Sequence, residues 1–319
     1  MVNLTIESGV SDDRECSISY HQFAEQFIQL YWTQALPYSD QSSDSVLRQS
    51  STKGQASVIN GILSLQNNTK TTSLTIARIQ NTGLWQSTIK DIASTIKKYP
   101  AKYLQSAEDK VSREFLYIYD AKEKIITLKP GIAYCFTRFS KIVNKLCQQY
   151  WTEFVRKNRH NQPYFSDDVD LQKFLFHQSR QNLKVLESIL IDTQQGQCFY
   201  CHKNLKNNIE VDHFIPWSKY PIDTTHNFVL TDHSCNNSKR DYLAEELFYE
   251  KWLERNQRHG NTIEQQAKTI GFITNQQRSE TISQWAYQIA VEHDDLVWSP
   301  KQSIKLRTIN PDLLPMLRY

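Results

Sequence analysis

Apolar positions along this chain recur at helical spacing far more often than they alternate. Residues 18–35, ISYHQFAEQFIQLYWTQA, set Phe23, Phe27, Ile28, Leu30 and Tyr31 on one side of a predicted amphipathic helix. Shorter helices are predicted over 55–66 and 84–99, the second with Leu84, Trp85, Ile89, Ile92 and Ile96, stopping before Pro100. Residues 131–158 and 168–193 predict two long helices, and 276–292 a further one with Ile282, Trp285, Ile289 and Ala290 on one face. The Ser- and Asp-rich stretch 37–56 predicts a loop, and the chain ends in a basic, Pro-punctuated tail. Two places break the helical rhythm. EFLYIYDAKEKIITLKPG, 114–131, holds two β-rich runs around a charged turn and predicts a hairpin. Helices followed by a hairpin follow the order of a winged helix. The second break lies past residue 208: Ile209–Pro216 and Asn227–Thr231 predict strands. A helix opening at Asn236 would then run through Ala244, Leu247, Phe248, Trp252 and Leu253.

The predicted fold class is α+β and predominantly helical. An N-terminal recognition or partner-binding region spans 1–165, a connecting helix 166–195, a compact strand–strand–helix segment 196–256 and a C-terminal helical extension 257–319. Composition agrees: in 319 residues, 39% are hydrophobic and 12% aromatic, while Gly (8) and Pro (9) are too scarce for a turn-rich all-β fold. The N-terminus, MVNLTIESGVSDD, lacks a basic stretch followed by an apolar run, and no segment approaches the roughly 18 apolar residues of a membrane span. The expectation is a soluble cytoplasmic protein with no membrane contact.

Net charge is only +3, but its distribution changes the picture. Residues 87–160 carry 15 Lys/Arg against 7 Asp/Glu, and residues 196–255 carry 7 against 9. A polyanion is drawn to the middle of the chain first. A solvated helix face would show the same excess.

Six cysteines divide into two groups. Cys16, Cys135 and Cys147 are isolated and read as buried thiols. Cys198 and Cys201 have the spacing of a zinc knuckle, and Cys235 supplies a third thiolate. No fourth cysteine or histidine sits three residues before Cys235; Asp232 stands there, with His233 beside it. The fourth ligand is therefore open between Asp232, His233, a water and no zinc at all. A thioredoxin-like redox pair is disfavoured because no βαβ pattern precedes it.

The order CxxC, VDHFIP, NFVL and CNNSKRD across 196–255 resembles the HNH, or ββα-metal, endonucleases of the cysteine-knuckle type. That resemblance makes 196–256 the nuclease domain and implies the residue roles. His213 would draw a proton from water, as an imidazole can near neutral pH. Asp212 and Asn236 would hold a catalytic Mg²⁺ or Mn²⁺ through hard oxygen donors. Asn227 would pin the loop and orient the histidine, and Lys239 would touch substrate phosphate. Zn²⁺ at Cys198, Cys201, Cys235 and the uncertain fourth position, Asp232, would staple the helix start to the strands. Singly, each of these residues reads as a cap, a turn or a satisfied core group; the pattern comes from all of them together. His202, His226 and His233 read as surface residues.

The expected function is a metal-dependent endonuclease acting on DNA, in a restriction or anti-phage defence setting, alone, as a homodimer or with a partner protein. Two alternatives stay open: a non-catalytic, zinc-stabilised nucleic-acid-binding module, and an RNA-cleaving or nicking variant.

Overall fold

The computed structural model describes residues 1–10, 14–38, 45–50, 53–105, 114–165, 170–176, 183–206, 209–221, 223–300 and 307–308. The chain divides into two compact units, Met1–Arg180 and Gln181–Tyr319. Together they make a mainly helical α+β fold with small sheets. Among the described residues, no helix is long and apolar enough to cross a membrane.

The first unit opens with α1 (Val2–Ser8), β1 (Cys16–Ser19) and α2 (Tyr20–Tyr31). Ser19 ends the strand and caps the helix: its hydroxyl accepts from Gln22 N–H, and Gln22 Oε1 accepts from Ser19 N–H at 2.9 Å. The predicted helix over 18–35 is thus shorter than its apolar pattern, because residues 16–19 pair as a strand. Helices α3 (Ser57–Thr69), α4 (Leu74–Gln80), α5 (Thr82–Lys98) and α6 (Pro100–Tyr103) follow. The expected hairpin is present as β2 (Tyr117–Asp120) and β3 (Ile125–Leu128), and β1 joins it in the order β1-β3-β2. Helix, strand, helices and hairpin, with the first strand on the hairpin's free edge, is winged-helix-like connectivity. Alternation sends Cys16, Ile18, Tyr117, Ile126 and Leu128 inward, where they meet Phe23, Ile28, Ile59, Ile62, Ile89 and Ile92 from the helices.

The single helix predicted over 131–158 is two, α7 (Ile132–Arg138) and α8 (Ser140–Lys157), because Phe139 leaves helical geometry (φ −102°, ψ 19°). Cys135 and Cys147 on these helices are exposed; of the isolated cysteines only Cys16 is buried, which corrects the expectation. One face of α8 leaves Ile142, Leu146, Tyr150 and Phe154 in solvent. The helix predicted over 168–193 is also divided, into α9 (Leu171–Phe176), a 3₁₀ turn at Leu183–Leu186 and α10 (Glu187–Thr193); residues 177–182 lie outside the described residues.

In the second unit, β4 (Ile209–His213) and β5 (Phe228–Asp232) pair antiparallel, with Asp212 opposite Val229 and His213 opposite Phe228. Helix α11 (His233–Lys239) follows directly. It does not continue as predicted: Arg240 takes φ 50° and ends it, and a separate α12 (Glu246–Thr269) begins six residues later. Helix α13 (Gln276–Glu292) lies where the periodicity placed it, and β6 (Leu296–Val297) pairs with β7 (Arg307–Thr308). The two long helices form the platform of the strand–strand–helix segment. Trp252 of α12 stacks on Phe214 (5.1 Å, 7°), and Tyr249 on Tyr287 of α13 (4.4 Å). Buried Arg255 gives its guanidinium to the carbonyls of His226 (2.7 Å) and Phe228 (2.9 Å), and so fixes the entry to β5.

Candidate active site and metal centre

Strand alternation decides which way each motif residue points. Asp212 and Glu210 share one face of β4, and His213 takes the other. His213 packs between Phe228 (4.8 Å) and Trp217 (5.5 Å), its side chain 12% exposed. Its Nε2 lies 2.7 Å from Asp223 Oδ1, which leaves Nδ1 as the ring nitrogen without a hydrogen bond to a described residue. Asp223 is buried and was not singled out from sequence. A signal existed: it is the one carboxylate in the irregular stretch 214–227.

The loop between the strands is closed by Asn227. Its Oδ1 accepts from Ile215 N–H (2.7 Å), its Nδ2 donates to Ile215 carbonyl (3.0 Å), and its own carbonyl accepts from Phe214 N–H (2.8 Å). One side chain thereby satisfies both backbone groups of the residue two past His213.

Asp212 is buried among polar partners. Its Oδ2 accepts from Tyr200 hydroxyl (2.7 Å) and pairs with Lys239 Nζ (3.0 Å), and that ammonium also donates to His213 carbonyl (2.8 Å). Lys239 is wholly buried, so it does not lie where a substrate phosphate would meet it, contrary to the sequence expectation. It ties the first turn of the site to α11 instead. Trp298, from the C-terminal extension, closes this layer by packing on Tyr200 (5.0 Å) and bonding Ser238 hydroxyl (2.8 Å).

Asn236 does not touch Asp212's partners. Its amide donates to Glu210 Oε2 (2.6 Å), and Glu210 Oε1 lies 2.5 Å from His233 Nδ1. The His233 and Asn236 bonds hold the Glu210 carboxyl below its usual range although burial pushes it the other way. Glu210 thus joins the candidate residues as a third oxygen donor beside Asn236. His233 is exposed at the surface, as expected, and His202 also faces solvent. His226 is fully buried, which corrects its reading: Nε2 meets Gly260 carbonyl at 3.1 Å, and Nδ1 has no partner among the described residues.

The cysteines converge. Cys198, Cys201, Cys235 and Asp232 place one ligand atom each within 4.8 Å of one another. The knuckle turn is closed by His202 N–H to Cys198 carbonyl (3.0 Å) and docks on β5 through Phe199 N–H to Leu230 carbonyl (2.9 Å). Asp232 does two things at once: Oδ1 caps α11 through Cys235 N–H (3.0 Å), and Oδ2 accepts from Cys201 thiol (2.9 Å). The Cys235 thiol's hydrogen bond pushes the Cys198 thiol down to about 5, while burial and the Asp232 bond push Cys201 up to about 11. Three sulfurs and a carboxylate with tetrahedral reach suit zinc.

Residues 198–244 match the model of a family described as HNH endonuclease. No curated protein matches the chain. The matched segment spans the knuckle, both strands and α11, and stops just before α12.

Proposed function

We propose that the chain is a metal-dependent HNH endonuclease that hydrolyses phosphodiester bonds in DNA. The observation that carries this reading is the His213–Asp223 pair, set at 2.7 Å on a strand whose opposite face carries oxygen donors turned toward α11. Asp223 fixes the imidazole ring through Nε2, so Nδ1 takes the proton from the attacking water, and the carboxylate then stabilises the imidazolium that forms. Asn227 holds the loop that follows His213. Lys239 holds the His213 carbonyl from within.

Asp212 and Asn236, with Glu210 beside Asn236, would hold Mg²⁺ or Mn²⁺; carboxylate and amide oxygens suit such hard cations. Such a cation, when bound, neutralises charge on the scissile phosphate and the leaving oxygen. Tyr200 and Lys239 occupy one oxygen of Asp212 and aim the other. Zinc at Cys198, Cys201, Asp232 and Cys235 is structural: it joins α11 to β5 without a large core. Cleavage leaves 5′-phosphate and 3′-hydroxyl ends. A basic first unit on the same chain as a nuclease unit fits a restriction or anti-phage nuclease of the cytoplasm, acting as a homodimer or with a protein partner.

The test is digestion of supercoiled plasmid by wild type and His213→Ala, in Mg²⁺, Mn²⁺ or EDTA, with a structured RNA as a second substrate. Metal-dependent cutting of the plasmid that His213→Ala abolishes is the expected result. A folded, zinc-loaded protein that binds but cuts neither polymer would make it a binding module; cutting of RNA alone would move the substrate class.

A further inference from the structure

The nuclease unit lacks the charge its substrate calls for. Residues 181–319 hold 15 Lys/Arg against 17 Asp/Glu, whereas residues 1–180 hold 22 against 17. Affinity for a polyphosphate comes mainly from cations that displace its counterions. One place in the first unit gathers them.

A cleft of about 430 Å³ is lined by Lys53, Lys157, Arg159 and His160 around the ring of Phe154, and no described carboxylate lines it. Lys157 has a loose, exposed partner in Glu153 (3.5 Å). Lys53 and Arg159 form no ion pair with a described residue. The walls are built to stay. Wholly buried Asn161 accepts from Arg48 N–H (2.7 Å) and donates to the carbonyls of Arg48 and Val155 (2.9 Å each). Asn158, which follows α8, donates to Ser50 carbonyl (3.1 Å) and so pins Ser50 to the end of that helix. Like charges held together in this way repel until an anion arrives. The local field is felt by His160, which partial desolvation and the charges of Arg48 and Arg159 push down from its ordinary value.

The aromatic component points to more than phosphate. Phe154 and Tyr150, 36% and 71% exposed, lie one turn apart on the same face of α8. Trp151 packs against Phe154 at 5.1 Å with the rings tilted by 32°, and is itself edge-on to Tyr31. A cationic groove beside exposed rings is the arrangement that takes up unpaired bases.

We propose that this cleft and the adjoining face of α8 bind a nucleic-acid strand with unpaired bases. Its phosphates lie on Lys53, Lys157 and Arg159, and its bases stack on Phe154 and Tyr150. The proposal rests on the nuclease reading only in naming the strand as substrate; binding is measured without cleavage.

The experiment uses the full chain, without added divalent cation, and fluorescence anisotropy of a labelled 20-nucleotide single strand and a duplex of equal length across a salt series. Lys53→Gln/Lys157→Gln/Arg159→Gln is expected to weaken single-strand binding tenfold or more. Its slope of log affinity against log salt falls by about two, since three contacts contribute about 0.7 each. Phe154→Ala is expected to cost roughly tenfold on the single strand, leave the salt slope unchanged and spare the duplex. All four side chains reach solvent, and an unchanged melting curve confirms folding. Unchanged affinity and slope in the triple variant overturn the proposal. Displacement of the strand by micromolar ATP overturns it in favour of a mononucleotide, and displacement by polyglutamate as readily as by DNA overturns it in favour of an acidic protein. Loss of binding in the triple variant of a chain that never cuts upholds the cleft and sinks the nuclease. Cutting that needs His213 and is as efficient in the triple variant does the reverse.

Discussion

His213 is legible from sequence because VDHFIP announces it; the carboxylate that holds its ring is not. Asp223 sits ten positions on, in a stretch without periodicity, and only folding of the loop brings its carboxylate to 2.7 Å from Nε2. Its contribution is orientation and charge, so Asp223→Asn should lower kcat about 10²-fold with little change in KM. Steady-state kinetics on a short oligonucleotide check this; a change confined to KM would place Asp223 in binding instead. Lys239 teaches the opposite lesson. By the family resemblance it reads as a phosphate contact, but Tyr200 and Trp298, remote in sequence, close over it and leave it wholly buried. Its pairing with Asp212 carries a specific cost structure. Lys239→Met leaves a buried carboxylate uncompensated and should destabilise the fold by about 3–5 kcal/mol, whereas Asp212→Asn added to it should recover part of that loss. Urea denaturation of the two variants measures the difference. Equal stability of both would mean that water already reaches the pair.

At the scale of elements, the boundaries that sequence misplaced share one cause. The periodicity of 131–158 and of 236–253 is continuous, so nothing in the apolar pattern reports that Phe139 or Arg240 leaves helical geometry. Tertiary contacts set those breaks: α11 must end for α12 to turn its buried face to Phe214 and the His226 carbonyl. The hairpin and α13 were legible because local pattern and tertiary role agree. Helix α11, seven residues long, is too short to hold itself, and its anchor is Asp232, at once N-cap and fourth donor of the metal cluster. The protein should therefore carry about one zinc per chain by elemental analysis. Asp232→Ala should lower both zinc affinity and melting temperature, while Asp232→Cys should keep the zinc and lose only the cap; full zinc content in Asp232→Ala would remove Asp232 from the ligand set. A second element-scale consequence concerns acid. His226, between α12 and the start of β5, is buried with one nitrogen unpartnered, and burial first, then Arg255, pushes its pKa down, against the Gly260 bond. Its depressed folded value means the unfolded chain binds the proton more readily. Stability is thus fully present above the ordinary histidine value near 6.5 and is lost as pH falls below it, by at most about 1.4 kcal/mol per pH unit. Melting curves between pH 7.5 and 5 should show this slope, and His226→Gln should flatten it; an unaltered slope would assign the acid sensitivity elsewhere.

At the scale of the whole molecule, the division of labour follows from charge and core. Residues 181–319 have their own apolar cluster, in which Leu186, Leu190, Phe228, Leu230, Ile263 and Phe272 join α10, β5 and α12, and they contain the metal cluster and the His213–Asp223 pair. They do not contain a cationic excess. Sequence made the basic middle of the chain visible but could not tell a binding surface from a solvated helix, because that depends on which lysines and arginines the fold brings around one cleft. Chemistry and affinity should therefore separate physically. A fragment of residues 181–319 should fold, bind zinc and cut a short oligonucleotide at saturation with a kcat within a few-fold of the full chain. Its KM should rise at least tenfold at moderate salt and lose most of its salt dependence, because the counterion-releasing contacts are gone. Measuring KM for fragment and full chain at two salt concentrations decides the matter. A fragment that keeps both KM and salt slope would place substrate affinity inside the second unit, among the few cations around α11 and α12, and would leave the first unit a different partner to serve.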